Sequence, residues 1–338
     1  MVSYLDVERP APGTAVRVAP GIHWVRLDLP FKLDHVHVWL LDDGDTWTVV
    51  DAGIGNDATW AAWQQLTQTT LGDKPIGRIV LTHFHPDHVG AAPWLAEAHG
   101  ASIWMTRPEW LTGRLLSVDL DAGMTDHVVA FYRAAGCGAA YLDYVHRTSD
   151  AYARMVAPLP RSYRQLRDRD GLHIGGRTWH VIVGGGHSPA HACLYAPDDG
   201  ILISGDQILP RISPNVGVNA SEPDADPLAD FLASLNRLEG LPEGLLVLPS
   251  HDAPFHGLHG RCEELRAHHD ARLNDCLTAC RDGATAMEVA QVLFDRPLDD
   301  HQTGFAVAET LAHLNHLLAA GRLTRETDGD GVWRYTAV

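Results

Sequence analysis

Five times along this chain an apolar run of strand length gives way to an aspartate or a histidine. Trp47-Thr48-Val49-Val50 leads to Asp51, and Arg78-Ile79-Val80-Leu81 leads to His83. The apolar stretch over residues 178–183 leads through three glycines to His187. Ile201-Leu202-Ile203-Ser204-Gly205 ends on Asp206, and Leu245-Leu246-Val247-Leu248-Pro249-Ser250 ends on His251. Near-continuous apolar runs are the mark of strands buried on both faces, and layered α/β folds gather their sites at the ends of such strands. A single aspartate after a strand is ordinarily a turn or cap residue. Five polar ends on five such runs argue for one shared site.

The densest of these ends is Thr82-His83-Phe84-His85-Pro86-Asp87-His88-Val89-Gly90. Imidazole and carboxylate are ligands for zinc and its first-row neighbours. His83 and His85 stand two apart, which is not helical spacing, and Pro86 argues against a helix running through the cluster. The expected shape is a strand that ends in a tight loop. Such a loop can aim His83 and His85 at one metal and Asp87 and His88 at its neighbour. The chain holds 21 histidines, so a chance pair would mean little. Four ligand side chains packed this tightly after an apolar strand read as a metal site.

This His-x-His-x-Asp-His run resembles the signature of the metallo-β-lactamase-fold hydrolases. That superfamily includes glyoxalase II, lactonases, class B β-lactamases, tRNA-trimming ribonucleases and the lactamase-beta-2-like proteins. Its other motifs are matched in chain order over roughly residues 20–256. Asp51 matches the early aspartate, His187 the third ligand of a first metal, Asp206 the aspartate that bridges two metals, and His251 the last ligand of the second. The resemblance implies a four-layer αββα sandwich over residues 1–256. It also implies two divalent ions, zinc ahead of iron or manganese. His83, His85 and His187 would hold one ion, Asp87, His88 and His251 the other, with Asp206 between them. Asp51 would support a loop or ligand from behind. Two details depart from the family. Ser250 stands where a glycine usually precedes the last histidine, and three glycines precede His187 where the family often has proline or threonine.

Two close metals can share a hydroxide whose pKa they lower toward neutrality, and one of them can polarise a carbonyl under attack. Asp87 would orient that hydroxide. No general acid is evident, which suits thioesters, activated esters or lactones better than plain amides. The leading expectation is therefore a dinuclear hydrolase of a small-molecule thioester or ester, similar to glyoxalase II. Lactone, phosphodiester or β-lactam hydrolysis on the same site is the alternative, and a metal-binding nucleic-acid-binding module is the alternative of another class. Arg211 is a candidate anchor for an anionic substrate end, with an ordinary surface arginine as the plainer reading. Arg161, Tyr163 and Arg164 are weaker candidates of the same kind. His191 reads equally as a supporting or an ordinary histidine.

Composition narrows the partners. With 26 basic and 43 acidic residues the net charge is −17, which disfavours broad nucleic-acid or anionic-membrane binding. The five cysteines are sparse, odd in number and without a Cys-x-x-Cys pair, as expected of a reduced cytoplasmic protein. No signal-like segment opens the chain, and no apolar run is long enough to span a membrane.

Along the chain, residues 1–20 read as an irregular lead-in. Strands are expected at 21–29, 35–42 and 47–51, a helix at 56–71, the ligand strand, a helix at 91–99 and a strand at 101–105. Residues 106–170 read as a helical insertion, including helices at 125–135 and 140–155. Its roles are a lid that selects substrate or a packed layer, and Tyr132, Tyr141 and Tyr144 hint at an apolar substrate or at core. Strands resume at 171–174, 178–183, 192–195 and 201–204, then a helix at 226–238 and a last core strand at 245–248. From residue 257 the apolar spacing turns helical. Cys262, Leu265, His269, Leu273, Cys276 and Cys280 share one face, followed by helices at 286–294 and 304–320 and a hairpin at 323–337. Residues 257–338 thus resemble a small winged-helix-like α+β domain. Their 8 arginines face 13 acids with no lysine, so the footprint of a nucleic-acid reader is missing. Packing, homodimerisation or shaping of the cleft are the expected roles.

Overall fold

A computed structural model describes residues 2–338. After a two-residue strand β1 (Ser3–Tyr4), the chain builds one sheet from β2 (Ala15–Ala19), β3 (Ile22–Asp28), β4 (His35–Asp43), β5 (Thr46–Val50), β6 (Ile76–Val80), β7 (Ser102–Thr106) and β8 (Arg164–Leu166). These seven strands lie in sequence order, antiparallel from β2 to β5 and parallel from β5 to β8. The second sheet is formed by β9 (Gly171–Ile174), β10 (Arg177–Gly184), β11 (His191–Ala196), β12 (Ile201–Gly205), β13 (Leu246–Pro249) and β14 (Phe255–His256), with β1 at its far edge in the order β1-β14-β13-β12-β11-β10-β9.

Two-sided burial explains the continuous apolar runs. In β4, Val36, Val38 and Leu40 face one core while Trp39 and Leu41 face another. In β12, Leu202 faces outward to helices while Ile201 and Ile203 face the opposite sheet. Trp24, Trp39 and Trp179, all fully buried, fill the space between the sheets. The outer face of the first sheet is covered by α1 (Asp57–Leu66), the short α2 (Pro86–Val89) and α3 (Ala92–His99). The insertion adds α4 (Arg107–Val118), α5 (Ala122–Ala134), α6 (Ala139–Arg147) and α7 (Ala151–Met155). The outer face of the second sheet carries α8 (Pro227–Glu239) and, beyond it, α9 (Leu258–Ala279), α10 (Ala286–Leu293) and α11 (Asp300–Ala319). A hairpin of β15 (Leu323–Thr327) and β16 (Trp333–Ala337) ends the chain. The result is the expected four-layer αββα sandwich, with three helices and a hairpin at the C-terminus.

Several local expectations need correction. The lead-in is not irregular throughout, because Ser3–Tyr4 pairs with β14 and Ala15–Ala19 with β3. The strand at 245–248 is not the last of its sheet, since β14 follows it. The insertion ends in β8, a polar edge strand parallel to β7. The helix expected at 56–71 is α-helical to Leu66 and then widens into one π turn, Thr67–Leu71. The helix expected at 140–155 is two helices with a break at residues 148–150. Helix α11 begins at Asp300, fixed by reciprocal capping between Asp299 and Gln302, earlier than the expected residue 304.

The insertion does not stand apart. Helices α4 and α7 pack on the first sheet's outer core, where Val156 and Leu159 are buried. Helices α5 and α6 lean on the C-terminal helices instead. Phe131, Ala135 and Cys137 share their core, and the Tyr132 and Tyr141 side chains pack against it. All five cysteines are buried and unpaired. No described helix is long and apolar enough to cross a membrane.

Candidate metal centre

Each polar residue that ends an apolar run sits at one rim of the sandwich. Asp51 leaves β5 with a backbone φ of +62°, a left-handed conformation that aspartate tolerates better than most residues. The turn sends its carboxylate beneath the next strand end. There it accepts from the Thr82 N–H at 2.8 Å and the Thr82 hydroxyl at 2.8 Å, and from His88 Nδ1 at 2.9 Å.

The loop after β6 differs from expectation in one respect. Pro86 does not prevent a helix but starts one, as the first residue of the single turn α2. Its fixed φ and missing N–H suit that position. His83 and His85 precede the turn, and Asp87 and His88 lie on it.

His187 arrives from β10 through Gly184, Gly185 and Gly186. Gly186 has φ +98°, and a Cβ there would lie 2.3 Å from Phe231 Cβ on α8. The glycines let the loop that carries His187 pass against the helix. Gly205, before Asp206, is required for the same reason: its Cβ would lie 2.5 Å from the His191 ring. His251 needs no glycine before it. The left-handed residue is Asp252, at φ +62°, one position after His251.

Seven side chains converge. His83 Nε2 lies 2.9 Å from His85 Nδ1 and 3.2 Å from His187 Nε2. Asp87 Oδ2 lies 3.5 Å from both His88 Nε2 and His251 Nε2. Asp206 Oδ2 stands between the two sets, 3.5 Å from His187 Nε2, 3.5 Å from His88 Nε2 and 3.3 Å from His251 Nε2. His83, His85 and His187 form one group that can hold an ion; Asp87, His88 and His251 form a second, and His83, His88 and Asp206 a third that links them.

The tautomers follow from the partners. His187 Nδ1 donates to the Asn215 carbonyl at 2.8 Å, and His251 Nδ1 to the His35 carbonyl at 2.8 Å. His88 Nδ1 donates to Asp51, and His83 Nδ1 meets the Thr82 hydroxyl at 2.9 Å. In the neutral form of each ring, the Nε2 atom therefore points a lone pair into the centre. His88 Nε2 and Asp206 Oδ1 are buried without a hydrogen-bond partner. Lone pairs and carboxylate oxygens aimed at one another repel unless a cation lies among them, so the donor set fits divalent metal ions.

Electrostatics divides the two groups. Burial pushes His83, His85 and His187 below the usual histidine range, His85 to about 3, so all three are neutral near pH 7. Burial acts the same way on His88 and His251, but the surrounding carboxylates outweigh it and raise both. Burial raises the Asp87 carboxyl, yet His88 and His251 outweigh that and hold it below the usual carboxylate range.

Other supports are not legible in the sequence. Glu109, on the first turn of α4, is fully buried. It accepts from the Phe84 N–H at 3.0 Å, the Ser188 hydroxyl at 2.7 Å and the Ala190 N–H at 2.6 Å. It therefore ties the His83–His85 loop to the His187 loop. Tyr152 of α7 donates to the Phe84 carbonyl at 2.6 Å. A glutamate in a helix first turn looks like a dipole partner, and nothing in its neighbours signals this role. His191 is fully buried and takes the supporting part: its Nε2 accepts from the Asp206 N–H at 3.1 Å.

The candidate substrate residues are less engaged. Arg211 is exposed and bonded to no other described residue. The guanidinium that organises its loop is Arg261, which donates to the carbonyls of Leu209 and Ile212 at 2.7 and 2.9 Å. Tyr163 stacks on Trp110 at 4.5 Å between ring centroids, and Arg161 and Arg164 are exposed.

Comparison with known proteins agrees with this geometry. Residues 32–251 match the model of the metallo-beta-lactamase superfamily, and residues 273–338 match that of the metallo-beta-lactamase-like C-terminal domain. A beta-lactamase domain protein from Burkholderia ambifaria superposes with a TM-score of 0.93 at 42% identity, over 100% of this chain and 98% of that one. A metallo-beta-lactamase family protein from Thermus thermophilus gives 0.81 at 31% identity, over 95% and 100%. A probable metallo-hydrolase of Bacillus subtilis is 25% identical over 91% of this chain and 96% of its own length. On these matches and this donor set, the chain belongs to the metallo-beta-lactamase superfamily and is a metallo-hydrolase.

Proposed function

We propose that the chain is a dinuclear hydrolase that cleaves the ester or thioester bond of a small molecule, with zinc as the preferred ion. One observation carries the reading: a single oxygen, Asp206 Oδ2, lies within 3.5 Å of ligand atoms from both groups. A carboxylate so shared suits two ions a short distance apart better than one. Two ions held there would supply Lewis acidity and lower the pKa of a water between them.

The chain's own residues do the rest. The Asp87 side chain keeps 19% of its surface exposed, while those of His88 and His251 keep 0% and 2%. Asp87 therefore reaches toward solvent from a buried floor. Ionised at neutral pH, it accepts a hydrogen bond from the attacking water and aims it at the substrate carbonyl. Asp51, Thr82, Asn215 and His35 fix the histidine rings, so no reorganisation is needed as charge develops. The imidazoles and carboxylates are committed as ligands, which favours leaving groups that need little proton help, such as thiolates. Arg211, free in the loop that leaves Asp206, is our candidate for holding an anionic end of the substrate. The buried, unpaired cysteines fit a reducing compartment, and we place the chain in the cytoplasm.

The test is metal content by elemental analysis, on the same sample assayed against thioester, lactone and phosphodiester panels. About two metals per chain with thioester or ester turnover supports the proposal. Two metals with phosphodiester turnover alone moves the chain to the phosphodiesterase alternative. Fewer than one metal with no turnover removes the enzyme reading. A salt-dependent gel shift on nucleic acid would then favour the binding-module alternative.

A further inference from the structure

Residues 206–226 leave the bridging carboxylate and reach α8 with no helix or strand of their own. A structureless connection of that length inside a compact fold is uncommon and usually functional. Here it is fastened at intervals, mostly by residues beyond 257. Arg261 of α9 holds the Leu209 and Ile212 carbonyls. The Ala308 carbonyl of α11 accepts from the Val218 N–H at 3.1 Å. Asn315 of α11 donates to the Pro223 and Ala225 carbonyls at 3.0 and 2.8 Å. Arg325 of β15 reaches Asp224 at 2.7 Å.

Midway along this loop, Asn215 faces two ways. Its carbonyl accepts from His187 Nδ1 at 2.8 Å, and its side-chain amide donates to Glu309 Oε2 of α11 at 3.3 Å. Glu309 is 9% exposed and has no ion-pair partner among the described residues; Asn215 is its one side-chain hydrogen-bond partner there. Burying a carboxyl without a direct ion pair is costly, with Arg272 acting on it only from beyond contact, and an apolar residue would pack there at less cost. Burial accordingly pushes its carboxyl up to about 7.

We propose that Glu309 is a positioning residue of the metal centre: acting through Asn215, it fixes the ring of His187, so that the C-terminal segment helps to hold the first metal. This rests on the reading of His187 as a ligand. It assigns the C-terminal segment a part in the site although it supplies no ligand itself.

The experiment uses the full-length protein loaded with zinc or cobalt(II). Metal affinity is read by competition with a chelator, ligand geometry by the cobalt absorption bands, and the fold by melting of the metal-free form. Glu309→Leu removes the acceptor, Glu309→Gln keeps one, and Asn215→Ala removes the amide while leaving the backbone carbonyl. Glu309→Leu and Asn215→Ala should each weaken binding by about tenfold to hundredfold and shift the cobalt bands, while Glu309→Gln stays close to wild type. Wild-type affinity and bands in both damaging variants, whatever their melting temperatures, overturn the proposal and leave the metal reading standing. Should Glu309→Leu fail to fold, Asn215→Ala, in a half-buried loop, decides alone. Unchanged metal content in His187→Ala would overturn the ligand reading itself, and this proposal with it, before any Glu309 variant is compared.

Discussion

Replacing Glu109 with glutamine changes one buried atom and tests how the two ligand loops are joined. The carboxylate meets three donors. Oε1 accepts from the Ser188 hydroxyl and the Ala190 N–H, and Oε2 from the Phe84 N–H. An amide has one acceptor oxygen. If that oxygen keeps Ser188 and Ala190, the Phe84 N–H faces an NH2 group at full burial. In the other orientation the Ser188 hydroxyl can rotate to accept, and the Ala190 N–H is stranded. Either way one buried donor is lost, at about 1–3 kcal/mol. For a chain of this size that corresponds to a fall of about 1–4 °C in the melting temperature of the metal-free protein. Because Phe84 lies between His83 and His85, and Ala190 lies three residues after His187, the strain falls between the loops of the first group. Metal affinity there should drop about tenfold, read by chelator competition. Burial pushes the Glu109 carboxyl up to about 7, against its hydrogen bonds, so the contrast with glutamine is greatest near pH 8, where the carboxylate is ionised. Melting within 1 °C of wild type together with unchanged chelator competition would refute the argument and leave Glu109 as a space-filler.

Three further perturbations probe other links. Asp51→Asn keeps a side chain that tolerates φ +62°, whereas Asp51→Ala adds backbone strain to the loss of the His88 partner. By denaturant unfolding, alanine should cost about 1–2 kcal/mol more than asparagine, and the reverse order would sink the account of this turn. Asp87→Ala should lose turnover by about a hundredfold or more while the metal-free protein melts within a few degrees of wild type; near-normal turnover would remove Asp87 from the chemistry. His269 and His313, 3.1 Å apart and buried, are held down to about 3 and about 4, mainly by burial. The unfolded chain therefore binds more protons below pH 6.5, and stability from this pair is lost as pH falls from there. At pH 5 the loss is about 2 kcal/mol for each histidine taken alone. Glu109 and Glu309, raised by burial, pull the other way. The check is therefore the difference between wild type and His269→Leu at pH 7 and pH 5, and equal acid sensitivity in both would contradict it.

Much of the candidate ligand set is legible because Asp51, His83, Asp206 and His251 each follow a strand that buries both faces. The apolar runs before Asp51, His83, Asp206 and His251 can hardly belong to anything but central strands, and a polar residue at such an end has few places to go. The amphipathic spacing of Cys262, Leu265, His269 and Cys276 likewise marks α9, and its buried positions match that face. The elements that the sequence hides lack such a signature. Ser3–Tyr4 is two exposed residues added to a sheet edge. Arg164–Leu166 is a polar edge strand whose place is set by β7 rather than by its own composition. Pro86 reads as a helix breaker because its effect in a helix interior is better marked than its preference for the first turn.

The larger gap concerns what orients the candidate ligands, and its cause is physical. Two of the four histidine Nδ1 acceptors are backbone carbonyls, those of Asn215 and His35. Any residue type offers a carbonyl, so no sequence pattern can mark the position. Glu109 does act through its side chain, but it accepts two backbone N–H groups, from Phe84 and Ala190, that are equally anonymous. Metal-binding atoms are confined to a few residue types and leave a trace in the sequence, whereas their supports are paid for in backbone hydrogen bonds that only the fold assembles. This asymmetry bears on the C-terminal segment. It supplies none of the candidate ligands, and its acidic balance points away from nucleic acid, so its sequence alone does not connect it to the chemistry. Yet its arginine, asparagine and glutamate side chains grip the loop between Asp206 and α8, and through that loop they reach His187. A segment placed this way can change metal affinity without touching metal or substrate, and for that reason the Glu309 and Asn215 variants are read by metal binding rather than by activity.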